Sequence, residues 1–270
     1  MLTKCADVLK ELIRAFHVTD SVGSFLKLGI DLLSVRRLRY LPKSWYNQPR
    51  SVRLRDGTVL HYRRNQGDLW SFREVWLFEC YRLPFDHRDG EPFKTLVDLG
   101  ANIGMTSVWL YKRYGCPRII AVEADATNCE IARRNFEANN VPVEIISAAI
   151  GPYDGEARFA KSGLSNVGRV SPEGATAVPM ISMRTVLERL KSAPSADSAQ
   201  IDLLKIDIEG GEEALLQGDV GWLDQVNAIV IELHPGLVDC EAIARFITER
   251  GMRFLPANSV FPGSMDAFVR

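Results

Sequence analysis

Two stretches of this sequence hold residue types that can do chemistry together. In the first, Asp98 stands just before the turn Gly100-Ala101-Asn102-Ile103-Gly104, and Glu123 closes a later apolar run. Thr95 to Leu99 reads as a short buried strand, and Met105, Val108 and Trp109 open a helical pattern after the turn. Strand, turn and helix in that order bring backbone N–H groups and the positive helix end to a ligand. Arg118 to Val122 makes a second strand, so Glu123 falls at the C-terminal end of a βαβ unit. A carboxylate there accepts hydrogen bonds from ribose hydroxyls, and a nucleoside-containing cofactor is expected. Asn102 stands where a dinucleotide site needs its middle glycine, and its side chain would crowd a pyrophosphate. The Asp98 carboxylate would repel pyrophosphate and attract an ammonium, directly or through water. These two residues favour S-adenosylmethionine over a nicotinamide dinucleotide, whereas Glu123 suits both. Ala101, Ala124 and Ala148 add small side chains at the same strand ends, suited to close approach of a flat ring.

The second stretch, Lys205-Ile206-Asp207-Ile208-Glu209-Gly210-Gly211-Glu212, gathers three acids after the apolar strand Ile201 to Ile206. An open α/β sheet places its chemistry at such strand ends. The plainer reading is capping of the helix that Glu212 begins. His234 ends another buried strand, Val226 to Leu233, directly before Pro235.

The elements that must position these residues follow a βα rhythm. The sequence predicts a doubly wound α/β sheet with crossover helices, its domain running from about residue 93 to 270. Thr127 to Asn139 is a helix, Val143 to Ser147 a strand, and residues 153–183 interrupt the rhythm as a β-hairpin insertion. Ser165-Asn166 in that insertion suits either a sugar hydroxyl or, more plainly, a turn. Residues 51–92 supply a hairpin around Asp56-Gly57 and an aromatic-rich helix, Asp68 to Tyr81, ended by Pro84. That helix is expected to lie over the cofactor crevice, with its aromatics mostly in the core. Residues 1–50 form a helical extension. Its second helix is expected to bury Val22, Phe25, Leu26, Ile30 and Leu33, and Arg36, Arg37 and Arg39 follow as a solvated end. The two helices also suit a dimer or partner surface.

Composition narrows the class. Net charge is −1 over 270 residues, which gives no global electrostatic case for nucleic acid or an anionic membrane. The five cysteines form no CxxC pair, no apolar run reaches membrane-spanning length, and no secretory signal opens the chain. A cytoplasmic α/β protein is expected.

DLGANIG, AVEAD, AAIGPYDGEARF, KIDIEGGEEALLQG and IVIELHP, in that order, resemble the FkbM-type S-adenosylmethionine-dependent methyltransferases over roughly Val52 to Arg270. The resemblance implies a Rossmann-like class I methyltransferase fold, with Asp98, Gly100, Asn102, Gly104 and Glu123 around the cofactor. It places Asp207 near the transferred methyl. It also implies O-methylation of a hydroxyl on a sugar, glycolipid or natural product. An alcohol nucleophile benefits from a base as its proton leaves, which makes Asp207 the first candidate and His234 the second. Glu209 and Glu212 with Asp207 form an alternative Mg²⁺ ligand set. The rival readings are an N-methyltransferase, an NAD-dependent oxidoreductase and a non-catalytic cofactor-binding module. The first lacks its usual Asn/Asp-Pro-Pro-aromatic turn here.

Overall fold

The computed structural model describes residues 2–35, 43–84, 93–161, 164–192, 200–256 and 265–270. The Arg36, Arg37 and Arg39 cluster lies outside them. Two helices, α1 (Leu2–Val18) and α2 (Val22–Val35), precede a hairpin of β1 (Pro49–Arg53) and β2 (Val59–Arg63), which turns at Gly57. Then come α3 (Gln66–Phe72), continued by a π-helical turn over Arg73–Leu77, and the alternating run β3 (Thr95–Leu99), α4 (Met105–Tyr114), β4 (Arg118–Glu123), α5 (Ala126–Asn139) and β5 (Val143–Ser147). The insertion holds β6 (Ala149–Ile150), β7 (Gly155–Ala160), β8 (Arg169–Val170) and β9 (Thr176–Ile181). The chain ends with α6 (Met183–Lys191), β10 (Ile201–Ile206), α7 (Glu212–Leu215), β11 (Val226–Glu232), α8 (Cys240–Glu249), β12 (Arg253–Pro256) and β13 (Met265–Val269).

Seven strands form the main sheet in the order β12-β13-β11-β10-β3-β4-β5. All neighbours are parallel except β13, which runs antiparallel between β11 and β12. The order reverses between β3 and β10, and ligands bind at such a switch point. This is the expected Rossmann-like class I methyltransferase sheet. The insertion is larger than a hairpin: β7 pairs antiparallel with β9, and β6 and β8 widen it to four strands.

The sheet carries a core on each face. Leu96, Ala121, Leu203 and Val230 belong to the one that also takes in α3, α4, α5 and the buried sides of α1 and α2. Val97, Val122, Leu204 and Ile231 belong to the other, with α6 and α8. Alternation then fixes the site. Asp98, Glu123, Lys205 and Glu232 share the parity of Leu96, Ala121, Leu203 and Val230, so all four emerge on the first face at the C-terminal strand ends.

Two expectations are corrected. The helix predicted over Asp68 to Tyr81 ends at Leu77, with Glu79 in the left-handed region (φ 49°), well before Pro84. The face of α2 is also reversed: Leu28 and Leu32 are buried, whereas Val22, Leu26, Ile30 and Leu33 lie in solvent. An apolar stripe on each side of α2 makes the choice from periodicity ambiguous, and the hairpin and α3 take the Leu28–Leu32 side.

Candidate functional site

A cavity of about 510 Å³ lies over the switch point, between the sheet ends, α3 with its π-helical turn, and the insertion. The end expected to take the cofactor rests on the loop after β3. Gly100 has φ 75°, and a Cβ there would collide with the Asp207 carbonyl oxygen. Asp207 N donates to Leu99 O at 3.1 Å, so the loops after β3 and β10 meet backbone to backbone. Gly104, at φ 77°, lets Phe136 of α5 pack against the turn. Glu123 is buried and ties two loops together: Oε2 accepts from Asn102 N at 2.8 Å and Oε1 from Asp125 N at 2.7 Å. Burial pushes its carboxyl above the ordinary range, against those two hydrogen bonds.

Asn102 itself adopts φ 50°. Its Nδ2 donates to Ser71 Oγ at 2.9 Å, while its Oδ1 is buried without a hydrogen-bond partner and the residue lines the cavity. Such an orphaned acceptor calls for a donor from a ligand. Gly100, Ala101, Glu123, Ala124 and Ala148 line the same end, where the helix N-terminus and small side chains leave room for a nucleoside.

Asp98 stands elsewhere. It is fully buried and does not line the cavity. Oδ1 is 2.9 Å from Lys205 Nζ, and Oδ2 accepts from Ser107 at 2.5 Å. Asp98 is expected to attract an ammonium directly or through water; in the structure its carboxylate holds Lys205, which itself lines the cavity. The sequence does not single out Lys205, because a lysine in an apolar strand reads as a solvated end. It is 1 % exposed and donates to Leu99 O (3.2 Å) and Gly100 O (2.6 Å). Burial disfavours its charge, yet Asp98 and Asp207 outweigh that and hold the ammonium above its ordinary pKa.

At the other end, Asp207 accepts from the Tyr81 hydroxyl at 3.1 Å and lies 3.6 Å from Lys205 Nζ. His234 faces three acids, with Nδ1 2.9 Å from Glu212 and Nε2 3.3 Å from Glu209 and 3.8 Å from Asp207. Burial opposes its protonation, but the Glu212 hydrogen bond and the neighbouring carboxylates raise it to about 9. Glu209 sits at φ 54°, and burial with the Asp207 charge raises it to about 7. Glu74, which accepts from the Trp70 indole, is raised to about 7 for the same two reasons. Glu232 goes to about 9 through burial, then Asp207 and Glu74. Glu232 stands in the IVIELHP run, and its strand parity with Val230 is a further signal; no sequence motif marks Glu74.

The alternative Mg²⁺ set is also corrected. Among the described residues the acidic and imidazole donors that converge within 4.8 Å are Asp207, Glu232 and His234. Glu212 is 1 % exposed and turned to His234, away from the set it was expected to complete. Ser165 lines the cavity but is already engaged: its Oγ lies 2.5 Å from Asp68 Oδ1 and its carbonyl accepts from Asn128, fastening the insertion to α3 and α5.

Residues 98–254 match the sequence profile described as Methyltransferase FkbM domain. The chain belongs to the FkbM methyltransferase family. That assignment makes it a methyltransferase and sets aside the oxidoreductase alternative. "Methyltransferase 1" of Beauveria bassiana (strain ARSEF 2860) is 24 % identical over 66 % of this chain and 78 % of its own length. "Hexuronic acid methyltransferase AglP" of Haloferax volcanii (strain DS2) is 24 % identical over 66 % of this chain and 74 % of its own. The crystal structure of methyltransferase FkbM from Methylobacillus flagellatus KT superposes with a TM-score of 0.50 at 13 % identity. It covers 98 % of this chain, which spans 59 % of that structure's length. The FkbM match begins at Asp98, so the elements before it rest on the structure alone.

Proposed function

We propose that this FkbM-family chain transfers a methyl group from S-adenosylmethionine to a hydroxyl of a sugar, glycolipid or other small molecule. The observation that carries the reading is Asp207. Its carboxylate faces the cavity, held by Tyr81 and Lys205, and its backbone abuts Gly100 at the cofactor end.

Asn102 and Glu123 would hold the cofactor, with Gly100, Ala101, Ala124 and Ala148 shaping its bed. When bound, S-adenosylmethionine supplies an electrophilic methyl on a sulfonium. Asp207 takes the proton of the acceptor hydroxyl as that oxygen attacks, a step a positioned base accelerates. Tyr81 and Lys205 fix the carboxylate's direction. His234 suits a different part from that of a second base: with its pKa near 9 it is an imidazolium at neutral pH and donates to the carboxylates around it. The name of the Haloferax volcanii relative supports a carbohydrate acceptor.

Calorimetric titration of S-adenosylhomocysteine tests the cofactor, with NAD in parallel and Glu123→Ala as control. Saturable binding weakened by the substitution is expected, with none for NAD. Methyl transfer from labelled S-adenosylmethionine is then scored on matched hydroxyl and amine acceptors. Transfer to amines alone, unaffected by Asp207→Asn, would overturn the O-methylation reading.

A further inference from the structure

The outer face of α1 and α2 leaves seven large apolar side chains uncovered. Leu9, Ile13 and Phe16 form a stripe on α1 at helical spacing, and Val22, Leu26, Ile30 and Leu33 form one on α2. These seven side chains are between 44 and 63 % exposed, although the opposite sides of both helices are buried in the first core. Phe16 and Phe25 meet edge to face at 5.4 Å between ring centres, which joins the stripes into one surface. Together they leave on the order of 700 Å² of apolar area in water, beyond the roughly 300–600 Å² of the largest patch on a typical monomer. A helix apolar all round is normally covered on every side.

The charge around this face selects its cover. By helical spacing Lys10 borders the α1 stripe and Lys27 borders the α2 stripe, both exposed. The exposed acids Asp7 and Asp20 lie away from those long edges, the first on the far side of α1 and the second in the turn between helices. Glu11 and Asp31 are buried in ion pairs with Arg73 and with Arg50 and Arg64. The first forty residues carry seven Lys/Arg against four Asp/Glu in a chain whose net charge is −1. An apolar stripe with cations along both margins suits acyl chains beneath anionic headgroups. A second copy of the face would set lysine margin against lysine margin.

We propose that the α1–α2 face docks on the surface of an anionic lipid bilayer. Docking is peripheral, since no described helix is long and apolar enough to cross a membrane. The anchored helices also brace the acceptor end of the cavity: Glu11 of α1 holds Arg73 at 2.7 Å, and that guanidinium stacks on Trp70 at the cavity wall.

Flotation of the full chain with phosphatidylcholine vesicles, with and without phosphatidylglycerol, tests this. Binding to the anionic vesicles is expected, at least about tenfold weaker to neutral ones and reduced by salt. Leu26→Ser with Ile30→Ser should abolish it while S-adenosylhomocysteine affinity and the melting temperature hold. Lys10→Gln with Lys27→Gln should weaken it about fivefold per lysine. No flotation with anionic vesicles, or equal binding to neutral ones, overturns the proposal. So does light scattering that finds a dimer which the same serine substitutions dissociate, for then a second copy covers the face.

Discussion

The Tyr81 hydroxyl reaches the Asp207 carboxylate at 3.1 Å, joining the segment before the sheet to the end of its central strand. Tyr81 is buried, and burial together with the Asp207 charge holds its phenol far above the ordinary pKa, so it remains a donor at any working pH. Asp207 is thereby aimed rather than free. Tyr81→Phe should lower kcat by about tenfold and leave S-adenosylhomocysteine affinity unchanged, as expected for a lost positioning hydrogen bond. Asp207→Asn should cost about 10²–10⁴-fold in kcat. Equal kcat for Tyr81→Phe and wild type would remove Tyr81 from the reaction.

The Asp98–Lys205 pair predicts an asymmetric stability cost. Both side chains are buried, at 2.9 Å, and Lys205 spends its remaining donors on the Leu99 and Gly100 carbonyls. Lys205→Met strands a buried carboxylate whose remaining hydrogen bond is to Ser107, a loss of about 3–5 kcal/mol. Asp98→Asn combined with Lys205→Met should recover most of it, since the burial penalty of the charges goes with them. Urea midpoints for the single and double variants measure the difference. A single variant within about 1 kcal/mol of wild type would mean that water reaches the pair.

Stability should fall as pH rises from neutral. His234 has a folded pKa near 9 against 6.5 unfolded, so its contribution is complete below about pH 6.5 and lost as pH passes 9. Glu232 works in the same direction. Folded, it keeps its proton to about pH 9, whereas the unfolded chain gives it up near 4.5, so each rise in pH between those values favours unfolding. The melting temperature should therefore drop between pH 6.5 and 9 by about 2–4 °C per kcal/mol lost. In His234→Gln combined with Glu232→Gln the drop should largely vanish. An unchanged slope would assign it to other groups.

The sheet and the loops that line one end of the cavity are legible in the sequence because their signals are local. Apolar runs ending in Asp98-Leu99-Gly100 and in Glu123 state both the strand and the position of its last side chain. The reaction end is less so. Asp207, Glu232 and His234 stand in motifs, but Tyr81 and Glu74 reach them only through packing across distant segments. Asp98 reads as a ligand contact because sequence shows its place at a strand end and not the lysine it holds. On α2, two apolar stripes of similar strength leave the buried side undecided until the hairpin and α3 claim one.

Two glycines with nearly the same backbone conformation separate strain from contact. Gly57, at φ 86°, turns the β1–β2 hairpin with open space for 4 Å around the place a methyl group would take, whereas Gly100, at φ 75°, faces the Asp207 carbonyl oxygen. Gly57→Ala should cost about 1 kcal/mol from the left-handed conformation alone and leave methyl transfer and S-adenosylhomocysteine binding intact. Gly100→Ala carries the same conformational cost and must also drive the loop after β3 from the loop after β10. Since that contact sets Asp207 against the cofactor end, S-adenosylhomocysteine affinity and kcat should fall together, each by more than about tenfold. Calorimetry and single-turnover transfer on the two variants read the comparison directly. If Gly100→Ala lost only stability, like Gly57→Ala, Asp207 would owe its position to Tyr81 and Lys205 rather than to the backbone contact.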